Sequence, residues 1–402
     1  MDEIAGSFTR AKGFLAGSAG AGLKTAAGAL DIAVFASEVD AGAAGVFTTN
    51  RVCAAPVIVS RKKLAKRRAR AIVVNAGNAN ACTGKEGLRD AERMAARAAE
   101  KLGVSAEKVL VASTGVIGRR LPMDRIIHGI GAAVDMLGST LQHDSDAARA
   151  IMTTDTVPKE AAAQERIGGA TVTVGGLAKG AGMIAPNLAT MLTFVSTDCA
   201  IEGAILAKTL VKLSAETFNC VTVDGDMSTN DSVFVLANGC AGNRRVTRAG
   251  KDLSKFEALL KHVMGTLARA IAADGEGATK FIEIVVKGAR TKEDAHRAAK
   301  AIAESPLVKT AFFGEDPNWG RILTAAGYSG ALVFPEKATL VINGETVYRR
   351  GKPLDATPAL IESMRKREIR VEINLGAGKA EATVWTCDLS HGYIQVNAAY
   401  HT

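Results

Sequence analysis

The segment "IAPNLATMLTF", residues 184–194, follows the glycine-rich "GGLAKGAG" at 175–182. Pro186-Asn187 marks a turn, and the apolar run after it reads as the start of a buried strand. Between them stands Ala189-Thr190. A threonine hydroxyl is a weak nucleophile unless a base takes its proton, and a threonine at a chain's N-terminus carries that base as its own α-amine, with a pKa near 8. An internal Thr190 reaches that state by attacking the carbonyl of Ala189. An N-to-O acyl shift and hydrolysis of the resulting ester then free it. A small Ala189, flexible glycines upstream and the Pro-Asn turn all favour a strained, accessible bond. On the local pattern alone, a threonine on the strand's core face is the simpler reading, and the choice has to come from the rest of the chain.

Strand-like runs recur on both sides of this segment: "GVFTTNRV", "AIVVNAG", "KVLVASTG", "ATVTVGG", "ATMLTFVSTD", "NCVTVDGD", "SVFVLANG" and "FIEIVVKGA". Amphipathic helical stretches lie between several of them, among them "LRDAERMAARAAEKLG" and "LSKFEALLKHVMGTLARAIAAD", with apolar residues three and four apart. An α/β or α+β layered domain over residues 1–280 follows. Beyond it one helix, "KEDAHRAAKAIAES", leads through "GEDPNWGRI" to closely spaced strand candidates, "ATLVING", "VYRRGK", "EIRVEINLG" and "AEATVWTCDL". These suggest a smaller, strand-rich domain over 281–402.

Composition narrows the class of function. The chain has 402 residues, 48% of them hydrophobic, and no apolar run near the roughly 18–20 residues that cross a bilayer. The acidic opening and the short "FLAG" do not make a secretory signal, so a cytoplasmic location is expected. Six cysteines (Cys53, Cys82, Cys199, Cys220, Cys240, Cys387) show no C-x-x-C pair; they are expected reduced and buried, with no metal site. The net charge is +9, and seven basic residues crowd into "RKKLAKRRAR", Arg61–Arg70. Helix formers dominate this block, no aromatic is present to stack a base, and no nucleic-acid module surrounds it. A solvated helix face is expected rather than a polyanion contact.

Four further motifs carry candidate chemistry. "GGLAKGAG" lacks the G-K-[ST] order of a phosphate loop, so its glycines fit close backbone approach better. "VASTGVIG" (111–118) places Thr114-Gly115 at a strand end, either as a plain turn or as hydroxyl and amide donors to a developing oxyanion. "TVDGDMSTNDS" (222–232) and "ADGEGATK" (273–280) are loops whose carboxylates, Glu276 among them, are free to bind a cation or a substrate's amino group. No H-E-x-x-H and no G-x-S-x-G occurs, and none of the six histidines has a catalytic context. A Ser-His-Asp hydrolase is disfavoured.

Taken together, "KGAGMIAPNLATMLTF", "GVFTTNRVCAAPV", "NAGNANACTG", "STGVIG", "MTTDTVPK", "TVDGDMSTNDS", "DGEGATK", "GEDPNWGRI" and "VNAAYHT" resemble, in order and spacing over nearly the whole chain, the glutamate N-acetyltransferase / ornithine acetyltransferase family of arginine biosynthesis. The resemblance implies an α/β sandwich of the self-cleaving aminopeptidase type. It implies cleavage between Ala189 and Thr190 into chains 1–189 and 190–402, assembled as α2β2, with the C-terminal tail returning to the active site. It implies Thr190 as acetyl-accepting nucleophile, Thr114 and Gly115 as oxyanion hole, and substrate contacts from Thr153, Lys179, Thr190, Glu276, Asn397 and Thr402. The reaction it implies is ping-pong transfer of acetyl from N2-acetylornithine to glutamate, without metal or cofactor, nucleic acid or membrane. Use of acetyl-CoA as a second donor is left open. Lys179 suits a substrate carboxylate and Glu276 an ammonium or nitrogen end. Two departures are Met227, where a small polar residue is common, and the excess charge of 61–70. The alternatives are an N-terminal-threonine amidase or aminopeptidase of the same fold and, from the basic block, a nucleic-acid binder.

Overall fold

The structure, a computed structural model, describes residues 1–185 and 191–399. Ala189, Thr190 and Thr402 lie outside these residues.

Nine strands form the first sheet: β1 (Asp2–Ile4), β2 (Phe14–Ala19), β3 (Ile32–Phe47), β4 (Arg68–Asn78), β5 (Val109–Val116), β6 (Lys159–Ile167), β7 (Ala170–Lys179), β8 (Leu192–Thr197) and β9 (Ser232–Ala237). Their order is β1-β6-β7-β8-β9-β3-β4-β5, with β2 also on β3. The sixteen-residue β3 joins two halves: its first part, from Ile32, pairs with β2 and β4, and its last part, Gly42–Phe47, pairs with β9. Between them the β3–β4 register shifts and Glu38–Asp40 face water.

Strand alternation divides the apolar side chains between two faces. On β4, Ile72 and Val74 join an interior cluster with Phe35, Phe194, Phe234 and Leu177, drawn from both halves of the sheet. Phe35 stacks on Phe194 at 4.9 Å between centroids. The alternate residues Ala71 and Val73 face outward, onto α1 (Ala55–Lys63), α2 (Gly84–Leu102) and α3 (Met123–Asp135). Behind β6–β9 lie α5 (Gly203–Glu216) and α6 (Lys251–Ala273), whereas α4 (Leu141–Ile151) adds to the interior. On α6, Phe256, Leu259, Leu260, Val263, Met264, Leu267 and Ile271 form one buried stripe at three- and four-residue spacing. The layered α/β expectation is met.

A second sheet begins at Phe281. It has order β13-β12-β11-β14-β10-β15, built from β10 (Phe281–Ala289), β11 (Thr339–Ile342), β12 (Glu345–Arg349), β13 (Lys352–Pro353), β14 (Glu368–Asn374) and β15 (Ala380–Cys387). Its core is separate, closed by α7 (Lys292–Glu304), α8 (Pro306–Phe313), α9 (Trp319–Tyr328) and the short α10 (Pro358–Ser363). Phe281 and Cys387 belong instead to the α6 cluster, and the Thr222 amide donates to the Trp385 carbonyl at 2.9 Å. The chain ends its described part in α11 (His391–Ala399). No helix among the described residues is long and apolar enough to cross a membrane.

Three readings are corrected. "NCVTVDGD" is no strand: Phe218–Cys220 is a 3-10 turn and Val221 makes one isolated bridge to Trp385. The basic block is not one helix face. α1 ends at Lys63, Arg67 takes a left-handed φ of 50°, and β4 starts at Arg68. Lys63 is buried, donating to the Ala106 carbonyl at 2.9 Å and pairing with Glu92 at 3.2 Å. The cysteines are free as expected, but only Cys199, Cys220 and Cys387 are buried; Cys82 and Cys240 are exposed.

Candidate active site

One cavity is lined by Thr114, Gly115, Thr153, Lys179, Glu276 and Asn397, so each described residue that the sequence singled out for chemistry faces the same space. Met191, Ser228, Asn230 and Asp231 complete its wall on the side of β8 and β9.

Lys179 closes β7, and its side chain is buried. Its Nζ donates to Thr153 Oγ1 at 2.7 Å and to Thr114 Oγ1 at 3.2 Å. Burial lowers the Lys179 pKa, with Lys159 acting the same way and Asp155, Asp231 and Glu276 opposing. Because Thr114 accepts from Lys179, its own hydroxyl proton is free to point into the cavity. Next to it, Gly115 has φ +126°, and a Cβ there would collide with Gly77 of β4. Two strand ends thus meet with bare backbone beside the Thr114 hydroxyl.

Asn230 fixes that strand end. Its Nδ2 donates to the carbonyls of Ala79 (2.6 Å) and Ser113 (2.8 Å), and Ser113 Oγ donates to Asn75 Oδ1 at 2.6 Å. Asn75 of "NAGNANACTG" and Asn230 of "MSTNDS" are therefore props of the strand end that carries Thr114. Sequence reasoning assigned them no role, since such props leave no local signature.

A buried ion network holds the Thr153 and Glu276 segments. Asp155 Oδ1 accepts from Lys159 Nζ at 2.7 Å and from the Gly180 amide at 2.6 Å; Lys159 Nζ also reaches Asp274 Oδ2 at 2.5 Å. Burial alone would push Asp155 up, but Lys179, Lys159 and the Gly180 amide reverse this and bring it to about 2. Two residues past Asp274, the Glu276 amide donates to the Ala181 carbonyl at 2.9 Å, and its Oε2 accepts from Asn397 Nδ2 at 2.8 Å. A Cβ on Gly182 would fall inside the Glu276 carboxyl group. That explains one glycine of "KGAG": it lets the carboxylate come against the backbone.

Asp224 is an anchor for the chain approaching residue 186. It accepts from the amides of Met183 (2.6 Å) and Ile184 (2.9 Å), and the Tyr393 hydroxyl donates to it at 3.4 Å. Met227, the departure noted in this loop, bridges Ile184 by its backbone and lays its sulfur 3.5 Å from Thr49 Oγ1.

A family model described as the ArgJ family matches residues 15–402. The chain is 50% identical to the arginine biosynthesis bifunctional protein ArgJ of Symbiobacterium thermophilum, over 100% of both. It is 47% identical to the glutamate N-acetyltransferase of Methanocaldococcus jannaschii, again over 100% of both. A crystal structure of the arginine biosynthesis bifunctional protein ArgJ from Bacillus halodurans aligns with TM-score 0.51 at 40% identity, covering 52% of this chain and 100% of that one.

Proposed function

The chain belongs to the ArgJ family, and from that premise we propose that it transfers the acetyl group of N2-acetylornithine to glutamate through an acetyl-threonine on Thr190. The observation that carries this reading is the convergence of Thr114, Gly115, Thr153, Lys179, Glu276 and Asn397 on one cavity whose wall includes Met191, the next residue after Thr190.

The chain cuts itself between Ala189 and Thr190. The freed α-amine takes the Thr190 hydroxyl proton as Oγ attacks the acetyl carbonyl, and Thr114 Oγ1 and the Gly115 amide receive the charge on its oxygen. Ornithine leaves, glutamate enters, and its amine takes the acetyl back from the ester. Preorganised donors of this kind are each worth about 10²–10³ in rate. Lys179, Thr153, Asn397 and Thr402 hold the substrate's polar groups, and Glu276 holds its nitrogen end.

The same reading divides the chain into a nucleophile-bearing domain, 1–280, and a domain 281–402 whose tail returns to the cavity, in keeping with the bond from Asn397 to Glu276. It makes the enzyme a cytoplasmic α2β2 assembly that needs no cofactor. The bifunctional name of the relative at 50% identity is in keeping with a second activity, and assay with acetyl-CoA as donor decides whether glutamate is also acetylated from it.

A denaturing gel with intact mass, beside assays with each donor, tests this. Two fragments meeting at 189/190 and transfer from acetylornithine to glutamate are expected; acetate released to water without transfer would replace the reading with an amidase. Glu276→Gln should raise KM for acetylornithine about 10–100-fold, the worth of one charged hydrogen bond. An unchanged KM would remove Glu276 from substrate binding.

A further inference from the structure

Among the cavity's side chains Asp231 stands apart. Lys179 spends two donors on threonine hydroxyls, and Glu276 accepts from Asn397. Asp231 is 2% exposed and lines the same cavity, yet its Oδ2 is fully buried with no hydrogen-bond partner among the described residues. A buried carboxyl oxygen left unpaired is costly and rare in native structures, and it needs a reason.

Its backbone is held from three sides. The Thr48 amide donates to the Asp231 carbonyl at 3.0 Å; Asn230 before it grips Ser113 beside Thr114; and the Ser232 amide after it donates to the Met191 carbonyl at 2.9 Å. In the parallel β8–β9 register Leu192 faces Ser232. Asp231 therefore stands level with the chain where it enters β8 directly after residue 190, between that entry and the oxyanion strand.

We propose that Asp231 is a further catalytic residue of the acetyl transfer, its free carboxyl oxygen exchanging a proton with the substrate nitrogen that leaves or attacks. The inference rests on Thr190 being the nucleophile. As the Thr190 Oγ–carbon bond forms and the acetyl carbon–nitrogen bond breaks, the Asp231 carboxylic acid gives its proton to the departing ornithine nitrogen. The carboxylate recovers a proton from the Thr190 ammonium, which had taken the hydroxyl proton. With glutamate the steps run in reverse, and no proton is gained or lost over the cycle.

Such a donor has to be neutral at rest. Burial lifts the Asp231 pKa well above the ordinary carboxylate range, while Ser228 and Lys179 pull it down. The charged groups sharing the cavity wall are Lys179, at the end of β7, and Glu276.

The test compares full-length wild-type and Asp231→Asn proteins, with calorimetric Tm, a denaturing gel and kcat and KM across pH. If wild-type protein transfers no acetyl from acetylornithine, the functional reading itself fails. If it does, Asp231→Asn is expected to be cut, to keep KM, to lose about 10²–10⁴ in kcat and to lose one limb of the pH profile. A folded Asp231→Asn chain that stays uncut has no freed Thr190 amine, and the infrared measurement below then decides. A cut variant with wild-type kcat and pH profile overturns it. Should the variant not fold, infrared difference spectra of the wild type decide. A neutral-carboxyl band that changes on adding acetylornithine supports the role, and no such change overturns it.

Discussion

Thr190→Ala protein should remain one chain of 41.7 kDa and lose acetyl transfer from acetylornithine by roughly 10⁴–10⁶-fold, the scale on which removal of a covalent nucleophile acts. Two events fail together. Without the hydroxyl there is no N-to-O shift, so the α-amine that serves as base is never released; and no oxygen is left to carry the acetyl group. Thr190→Ser separates this from a general disturbance. It keeps the hydroxyl and should still cut itself and transfer acetyl, more slowly, because serine lacks the methyl group that restricts its rotamer. The check is intact mass alongside steady-state transfer to glutamate. A Thr190→Ala protein that is cut at 189/190, or that transfers at the wild-type rate, would end the acetyl-threonine mechanism, whatever the cavity around it looks like.

The end of β5 was legible because its signal is local, whereas the choice of an oxyanion role over a plain turn for Thr114 and Gly115 came only from the resemblance. A run of small and β-branched residues closing on Thr114-Gly115 marks a strand end with its own few residues. The helices α2 and α6 were legible for a similar reason: Met94 with Ala91, Ala95 and Ala98, or Leu260 with Phe256, Val263 and Met264, carry the helical period in plain sight. "NCVTVDGD" failed although Val221 and Val223 alternate properly. Asp224 spends its carboxylate on the Met183 and Ile184 amides, and the Val223 amide goes to the Ile184 carbonyl, so a loop contact takes what a ladder would have used. The basic block failed because Lys63 finds the Ala106 carbonyl and Glu92, partners far along the chain that no window of ten residues contains. Polar residues with a partner far away in sequence gave no local signal of that partner. Asn230, Asp224 and Lys159 are all of this kind.

Lys159→Met is expected to have the largest effect on stability. Lys159 is 1% exposed at its side chain, between Asp155 and Asp274, which the sequence separates widely and this one ammonium joins. Methionine fills nearly the same volume and leaves buried Asp155 and Asp274 without the ammonium that joined them. Removing one member of such a buried set typically costs about 3–5 kcal/mol, because the remaining charges stay desolvated. The acid limb of stability follows from the same residues. Lys179 and Lys159 hold the Asp155 carboxyl at about 2 in the folded protein, below its ordinary value of 3.8. A depressed carboxylate contributes stability that is complete above its unfolded pKa and disappears as pH falls through the folded one. Wild-type protein should therefore lose this contribution between about pH 4 and pH 2. In Lys159→Met the sign changes: with the ammonium gone, protonating a carboxylate relieves repulsion, so mild acid should narrow the gap between the two proteins. Denaturant unfolding of both from pH 7 down to pH 4 measures it. A gap that stays constant over that range would mean the Asp155–Lys159–Asp274 set does not hold the Thr153 and Glu276 segments by charge. The cavity's geometry would then have to rest on the Asp155–Gly180 and Asn230 hydrogen bonds alone.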